Sequence, residues 1–180
     1  MSYRAALMID AYTLRKHAQV ISQGGLQPSI DYGALRKRFH DRLVAEGGQQ
    51  LMHAMYYARI INDNADDQSI PVVRLLDWLS YNGFIVKTIT VRRAADAPGW
   101  PSVMIAVDAF ALAARIDTLY LIASSDDLAP AVEAVQRAGV RVVLACAQQL
   151  CGDALRRQVD EVVDLTQIMQ QCAPPQKAGA

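Results

Sequence analysis

Apolar residues in this chain fall in short unbroken runs, separated by stretches where they recur every three or four positions. The run 5–9 (AALMI) is continuously apolar, which fits a strand buried on both faces, as in a parallel sheet. A connecting segment follows, with a break at Gly24-Gly25 and then Pro28. Ser29 or Asp31 caps a helix over 32–44, which Gly47-Gly48 ends. A second strand falls within 50–61, centred on Met55-Tyr56-Tyr57, and the polar stretch 62–68 reads as a loop. Ser69 and Pro71 start a helix with the apolar stripe Val72, Leu75, Leu76 and Leu79, stopped by Asn82-Gly83. The β-branched run 84–91 (FIVKTITV) predicts a third strand. Ser102 opens a helix reaching Arg115, and a fourth strand spans 118–125. A helix over 126–138 ends at Gly139, and VRVVLACA is a fifth strand. A short helix over 150–157 and the short strand EVVDL complete a single domain over 1–171, with 172–180 as a disordered tail.

Strands alternating with helices predict an α/β fold, Rossmann-like, with a mostly parallel sheet and helices on both faces. In such sheets ligands bind beyond the carboxyl ends of the strands, near the switch in strand order. The residues just after each strand are therefore the ones to inspect.

Composition narrows the field. A hydrophobic content of 52% excludes a disordered chain, and 18 basic against 18 acidic residues excludes a strongly basic global field. Cys146, Cys151 and Cys172 have no paired spacing, which points away from a disulfide framework and towards a reducing compartment. Asp10 cuts the N-terminal apolar run and Asp108 the longest internal one, so no membrane span is expected and the location predicted is cytoplasmic. His17, His40 and His53 lack a ligand spacing. Glycine-rich dinucleotide and phosphate loops and the nucleophile elbow are absent from the sequence.

What remains is acidic. Asp10 follows the first strand, Asp126 and Asp127 follow the fourth, and Asp108 interrupts an apolar helix. Each also has a structural reading. Asp10 could cap the segment after its strand, and Asp126 and Asp127 gain from a helix N-terminus. Asp108 either faces solvent or points at a polar site. Together, carboxylates in close contact need a counter-charge, and a divalent ion with oxygen ligands is the usual solution.

Three segments carry a resemblance to a known family. They are ALMIDAYTL; the pair MYYARI and LLDWLSYNGFIVKT; and VMIAVDAFALAARIDTLYLIASSDDLAPAVEAVQRAGVRVVLA. In order and spacing, over residues 5–147, they resemble the NYN domain family, the LabA-like branch of the PIN-like nucleases. The resemblance implies a PIN-like sheet and metal-dependent ribonuclease chemistry. Asp10, Asp108 and Asp127 match family acids and would hold Mg²⁺ or Mn²⁺ as catalytic and metal ligands. Thr13 stands where the family usually has Asn, and Ser102 where an acid commonly precedes the helix. Ser124 and Ser125 replace the Gly-Asp of the family's turn, so three of five acidic positions are kept. Asp126, one place along, is a supporting candidate whose side chain should point differently. Fewer carboxylates weaken a metal site. The alternative is a catalytically degenerate NYN-like module that binds RNA or a protein partner. A haloacid-dehalogenase-like phosphatase would need Asp two places after Asp10, where Tyr12 stands.

The partner implied is single-stranded RNA, with Thr13 and Ser125 positioning water or phosphate. Arg15, Lys16, Arg92 and Arg93 are candidate phosphate-binding groups, beside Trp100 as a base-stacking surface or a packed side chain. Arg36, Lys37 and Arg38 read as an ordinary exposed helix face. Tyr12, Trp78, Tyr81, Trp100 and Phe110 could supply an apolar patch for a homodimer.

Overall fold

A computed structural model describes residues 3–21, 30–61, 69–93 and 95–172. The Gly24-Gly25 break, Pro28, Ser29, the polar stretch 62–68 and the tail 173–180 lie outside the described residues.

Six strands are described: β1 (Arg4–Asp10), β2 (Gln50–Ile61), β3 (Ile85–Val91), β4 (Thr118–Ile122), β5 (Arg141–Ala145) and β6 (Glu161–Val163). They lie in the order β3-β2-β1-β4-β5-β6, and every neighbouring pair is parallel. The chain builds outward from β1 to β3, then returns to place β4 on the other side of β1. The switch in strand order therefore falls between β1 and β4.

The helices are α1 (Ala11–Ile21), α2 (Tyr32–Ala45), α3 (Ser69–Tyr81), α4 (Trp100–Leu112), α5 (Ala129–Arg137), α6 (Asp153–Gln158) and α7 (Leu165–Cys172). Alternation along the strands divides the core in two. Leu7, Ile9, Ala54, Tyr56, Tyr120 and Val143 pack against Leu14 of α1, Phe39 of α2, Leu79 of α3 and Leu165 of α7. Met8, Tyr57, Leu121 and Leu144 pack on the other face against Ile105 of α4, Val132 of α5 and Leu155 of α6. Strands covered on both sides read as unbroken apolar runs, and that is why the pattern exposed them.

Three sequence expectations are corrected. The segment after β1 is a helix, α1, whose buried line is Ala11, Leu14, His17 and Ala18. The fourth helix starts at Trp100, not Ser102, with Gly99 as N-cap and Pro101 in the first turn, where no amide partner is needed. Cys172 closes α7 rather than opening the tail. Of the two candidate caps, Asp31 is seen to serve: its Oδ1 accepts from Ala34 N at 2.8 Å.

Register matters for the site. The pairing shifts between Ala5↔Leu51 and Ala6↔His53, which leaves Met52 unmatched and brings Asp10 opposite Tyr57 rather than Tyr56. A one-residue shift moves every later side chain to the other face, so this irregularity decides which tyrosine stands beside Asp10.

The two edges of the sheet differ in character. At the amino edge Arg42, Glu46, Arg141 and Glu161 form an ion-pair network, with the Tyr120 hydroxyl 3.1 Å from Arg42 Nε. The aromatic residues proposed as one patch are divided. Trp78 and Tyr81 are exposed on α3, Phe110 on α4 across the sheet, and Trp100 packs against the α4-side core. Among the described residues no helix is long and apolar enough to cross a membrane.

Candidate functional site at the carboxyl edge of the sheet

Asp10 is the last residue of β1, and α1 begins at the next position. Its Oδ1 accepts from Tyr12 N at 3.0 Å and its Oδ2 from Thr13 Oγ1 at 2.7 Å, so it caps the helix. Burial pushes its carboxyl above the ordinary carboxylate value, against the opposing pull of those hydrogen bonds and the Arg59 charge. Asp10 is thus a buried helix cap at the carboxyl end of β1. Thr13 Oγ1 also lies 3.0 Å from Ser124 Oγ, just beyond β4. A hydroxyl pair thus spans the switch point between β1 and β4.

Tyr57 and Lys87 continue this level of the sheet. Asp10 pairs with Tyr57 and Tyr57 with Lys87 across β1, β2 and β3. In-register residues of parallel strands share a face, here the one covered by α4. Asp108 lies on the buried side of α4, near Ile105 and Ala109. Its Oδ1 is 2.7 Å from Lys87 Nζ, and its Oδ2 accepts from the Tyr57 hydroxyl at 2.8 Å. Burial, and then the hydrogen bond to Asp108, raise the Tyr57 hydroxyl's pKa far above the ordinary phenol value, so it stays a donor. Arg59, two residues beyond Tyr57, donates from Nη1 to Asp96 O at 3.0 Å and ties down the loop after β3.

The turn after β4 separates its two acids. Ser125 Oγ donates to Asp127 Oδ2 at 3.0 Å, and Asp127 remains exposed. Asp126 turns the other way, where its Oδ1 accepts from Leu155 N at 2.9 Å at the start of α6. A Cβ on Gly152 would lie 2.1 Å from that oxygen, so only glycine admits this approach. Asp126 is therefore a tie between the turn and α6. Ser102 sits in the first turn of α4, six residues before Asp108, about 9 Å along the axis.

Basic groups border the same edge. Arg15 and Lys16 are exposed on α1, with Lys16 Nζ 4.7 Å from the Tyr12 ring centroid. Arg92 and Arg93 follow β3 and are exposed, with Arg93 N donating to Asp96 Oδ2 at 3.0 Å. Trp100 is half-buried and packs against the α4-side core.

The family model of the NYN domain matches residues 4–166. This chain belongs to the NYN domain family. NYN domains are a PIN-like nuclease family that acts on RNA and generally depends on divalent metal. Among solved structures, the NYN chain is similar to a Vibrio parahaemolyticus protein of unknown function. That match has 24% identity and a TM-score of 0.61, covering 90% of this chain and 92% of that one, and it speaks for the fold alone. A weaker match, Staphylococcus aureus homoserine dehydrogenase, has 7% identity and a TM-score of 0.34 over 92% of this chain and 33% of that one, and carries no argument. None of the curated proteins matches this sequence.

The side chains present do not fit the family's metal. Among the described residues no three His, Cys, Asp or Glu side chains group as ligands for one ion. Asp108 has a cation on one oxygen and a hydroxyl on the other. Asp10 is held by α1, Asp127 by Ser125, and Asp126 by α6. Sequence reasoning missed Tyr57, Arg59 and Lys87. The signal available was a single basic residue inside each of two strands rich in apolar and β-branched residues, Arg59 in β2 and Lys87 in β3.

Proposed function

We propose that this NYN domain binds single-stranded RNA along the carboxyl edge of its sheet, with metal-dependent cleavage reduced or lost. The observation carrying this reading is the pairing of Asp108 with Lys87 and Tyr57, which provides the counter-charge a family metal would otherwise supply. Arg15, Lys16, Arg92 and Arg93 offer cations to the phosphates, and the half-buried Ser124 hydroxyl, paired with Thr13 between β1 and β4, offers a polar contact. Tyr12 exposes an aromatic ring beside them for stacking.

The second reading is a metal-dependent ribonuclease in which Asp10, Asp108 and Asp127 hold Mg²⁺ or Mn²⁺. Asp10 and the exposed Asp127 favour it, because both lie at strand ends flanking the switch point. It requires Lys87 to release Asp108.

Fluorescence anisotropy with a labelled single-stranded RNA, run beside denaturing gels with and without Mn²⁺, separates the readings. Expected are saturable binding without divalent ions and no cleavage above that of Asp10→Asn and Asp108→Asn. Cleavage by the wild type that both substitutions abolish would establish the ribonuclease reading instead. Absence of RNA binding would sink both.

A further inference from the structure

The Lys87–Asp108 pair is built into the fold. Lys87 comes from β3 and Asp108 from α4, and their side chains are only 31% and 12% exposed. Tyr57 from β2 closes the other carboxylate oxygen. Three elements thus converge on one carboxylate at the level of Asp10. A carboxylate so enclosed holds its charge only with a cation beside it. Ammonium and divalent ion carry the same sign, so each excludes the other from a shared oxygen.

We propose that Lys87 is the resident cation of this NYN site, and that its ammonium keeps Mg²⁺ and Mn²⁺ off Asp108. Removing that charge leaves a shielded carboxylate without a counter-ion beside the Tyr57 hydroxyl. A hard divalent cation is the chemistry that satisfies it. The inference rests on the carboxyl edge being the functional site, and it makes this domain metal-free through its own lysine.

Mn²⁺ binding to the full chain, followed by electron paramagnetic resonance of the free ion, tests it without reference to activity. Lys87→Gln is expected to bind one Mn²⁺ at least roughly tenfold more tightly than the wild type. Lys87→Arg, which keeps the charge, should behave as the wild type, and adding Asp108→Asn to Lys87→Gln should erase the gain. Lys87→Met, which keeps the packed aliphatic stem, serves as a parallel neutral variant, and thermal melts verify that each variant is folded. Equal Mn²⁺ affinity in the wild type and both neutral variants overturns the proposal, whether all bind or none does. A gain that survives Asp108→Asn overturns it too. RNA anisotropy on the same samples keeps the two ideas apart: loss of RNA binding in the wild type defeats the functional reading and leaves the Mn²⁺ comparison standing.

Discussion

Asp10 is asked to do two opposed things. As a helix cap it accepts two hydrogen bonds, and as a buried carboxylate it resists ionisation. The second effect wins, since its pKa is raised above 3.8. The native state then holds the proton more tightly than the unfolded chain between 3.8 and the raised value. Stability attributable to this group therefore falls as pH rises through that interval and stays reduced at neutral pH. Asp10→Asn keeps the cap acceptor and removes the charge. It is expected to stabilise the fold at pH 7 by about 1 kcal/mol and to flatten this part of the pH profile. Urea melts between pH 4 and 7 measure both; a variant less stable than the wild type at pH 7 would mean the capping interaction dominates. The acids were legible in the sequence because each interrupts or ends an apolar run. Lys87 was not, because a lone lysine in FIVKTITV reads as the solvent side of a strand, and its partner lies 21 residues away on another element.

At the level of elements, legibility followed burial. β1, β4 and β5 are buried on both faces and stood out as apolar runs. In α1 the inward line includes His17 and two alanines, too little hydrophobicity to mark a helix. That histidine is 1% exposed and joins α1 to the segment just after β5. Its Nε2 accepts from Ala147 N at 2.7 Å, so Nδ1, 2.8 Å from Thr13 O, must carry the proton. Protonating Nε2 would set two N–H groups against each other, and burial lowers the pKa below 6.5. The unfolded chain takes up the proton first, so this contribution is complete above 6.5 and lost as pH falls through the lowered native value. His17→Ala leaves the Ala147 N–H unpaired and should cost about 2–3 kcal/mol in urea melts. Imidazole ¹⁵N shifts should show a neutral ring protonated at Nδ1 at pH 6.5; a charged ring there would refute the assignment.

The molecule as a whole carries an ion-pair network at the amino edge of its sheet and exposed basic groups beside the carboxyl edge. The strand order places the crossover between β1 and β4, and the predicted parallel sheet with helices on both faces followed from the alternation of elements alone. The site within it was less legible, because Tyr57, Arg59 and Lys87 meet the acids only after β2 and β3 take their register. Basic residues at the amino edge are matched to acids, as Arg141 is to Glu161 and Arg137 to Glu133. At the carboxyl edge Arg92 and Arg93 are exposed beyond the end of β3. Arg93 has Asp96 3.9 Å away, in a pair whose arginine side is 84% exposed, too solvated to hold it from a phosphate. If RNA runs along this edge, each phosphate that is no longer neutralised should lower the slope of log affinity against log salt by about 0.7 for a single strand. The double substitution Arg92→Gln, Arg93→Gln should weaken RNA binding and flatten that slope. Arg137→Gln removes one charge at the opposite edge and should change neither. Anisotropy titrations across a salt series decide it: equal slopes for the double variant and the wild type would move the RNA off this edge.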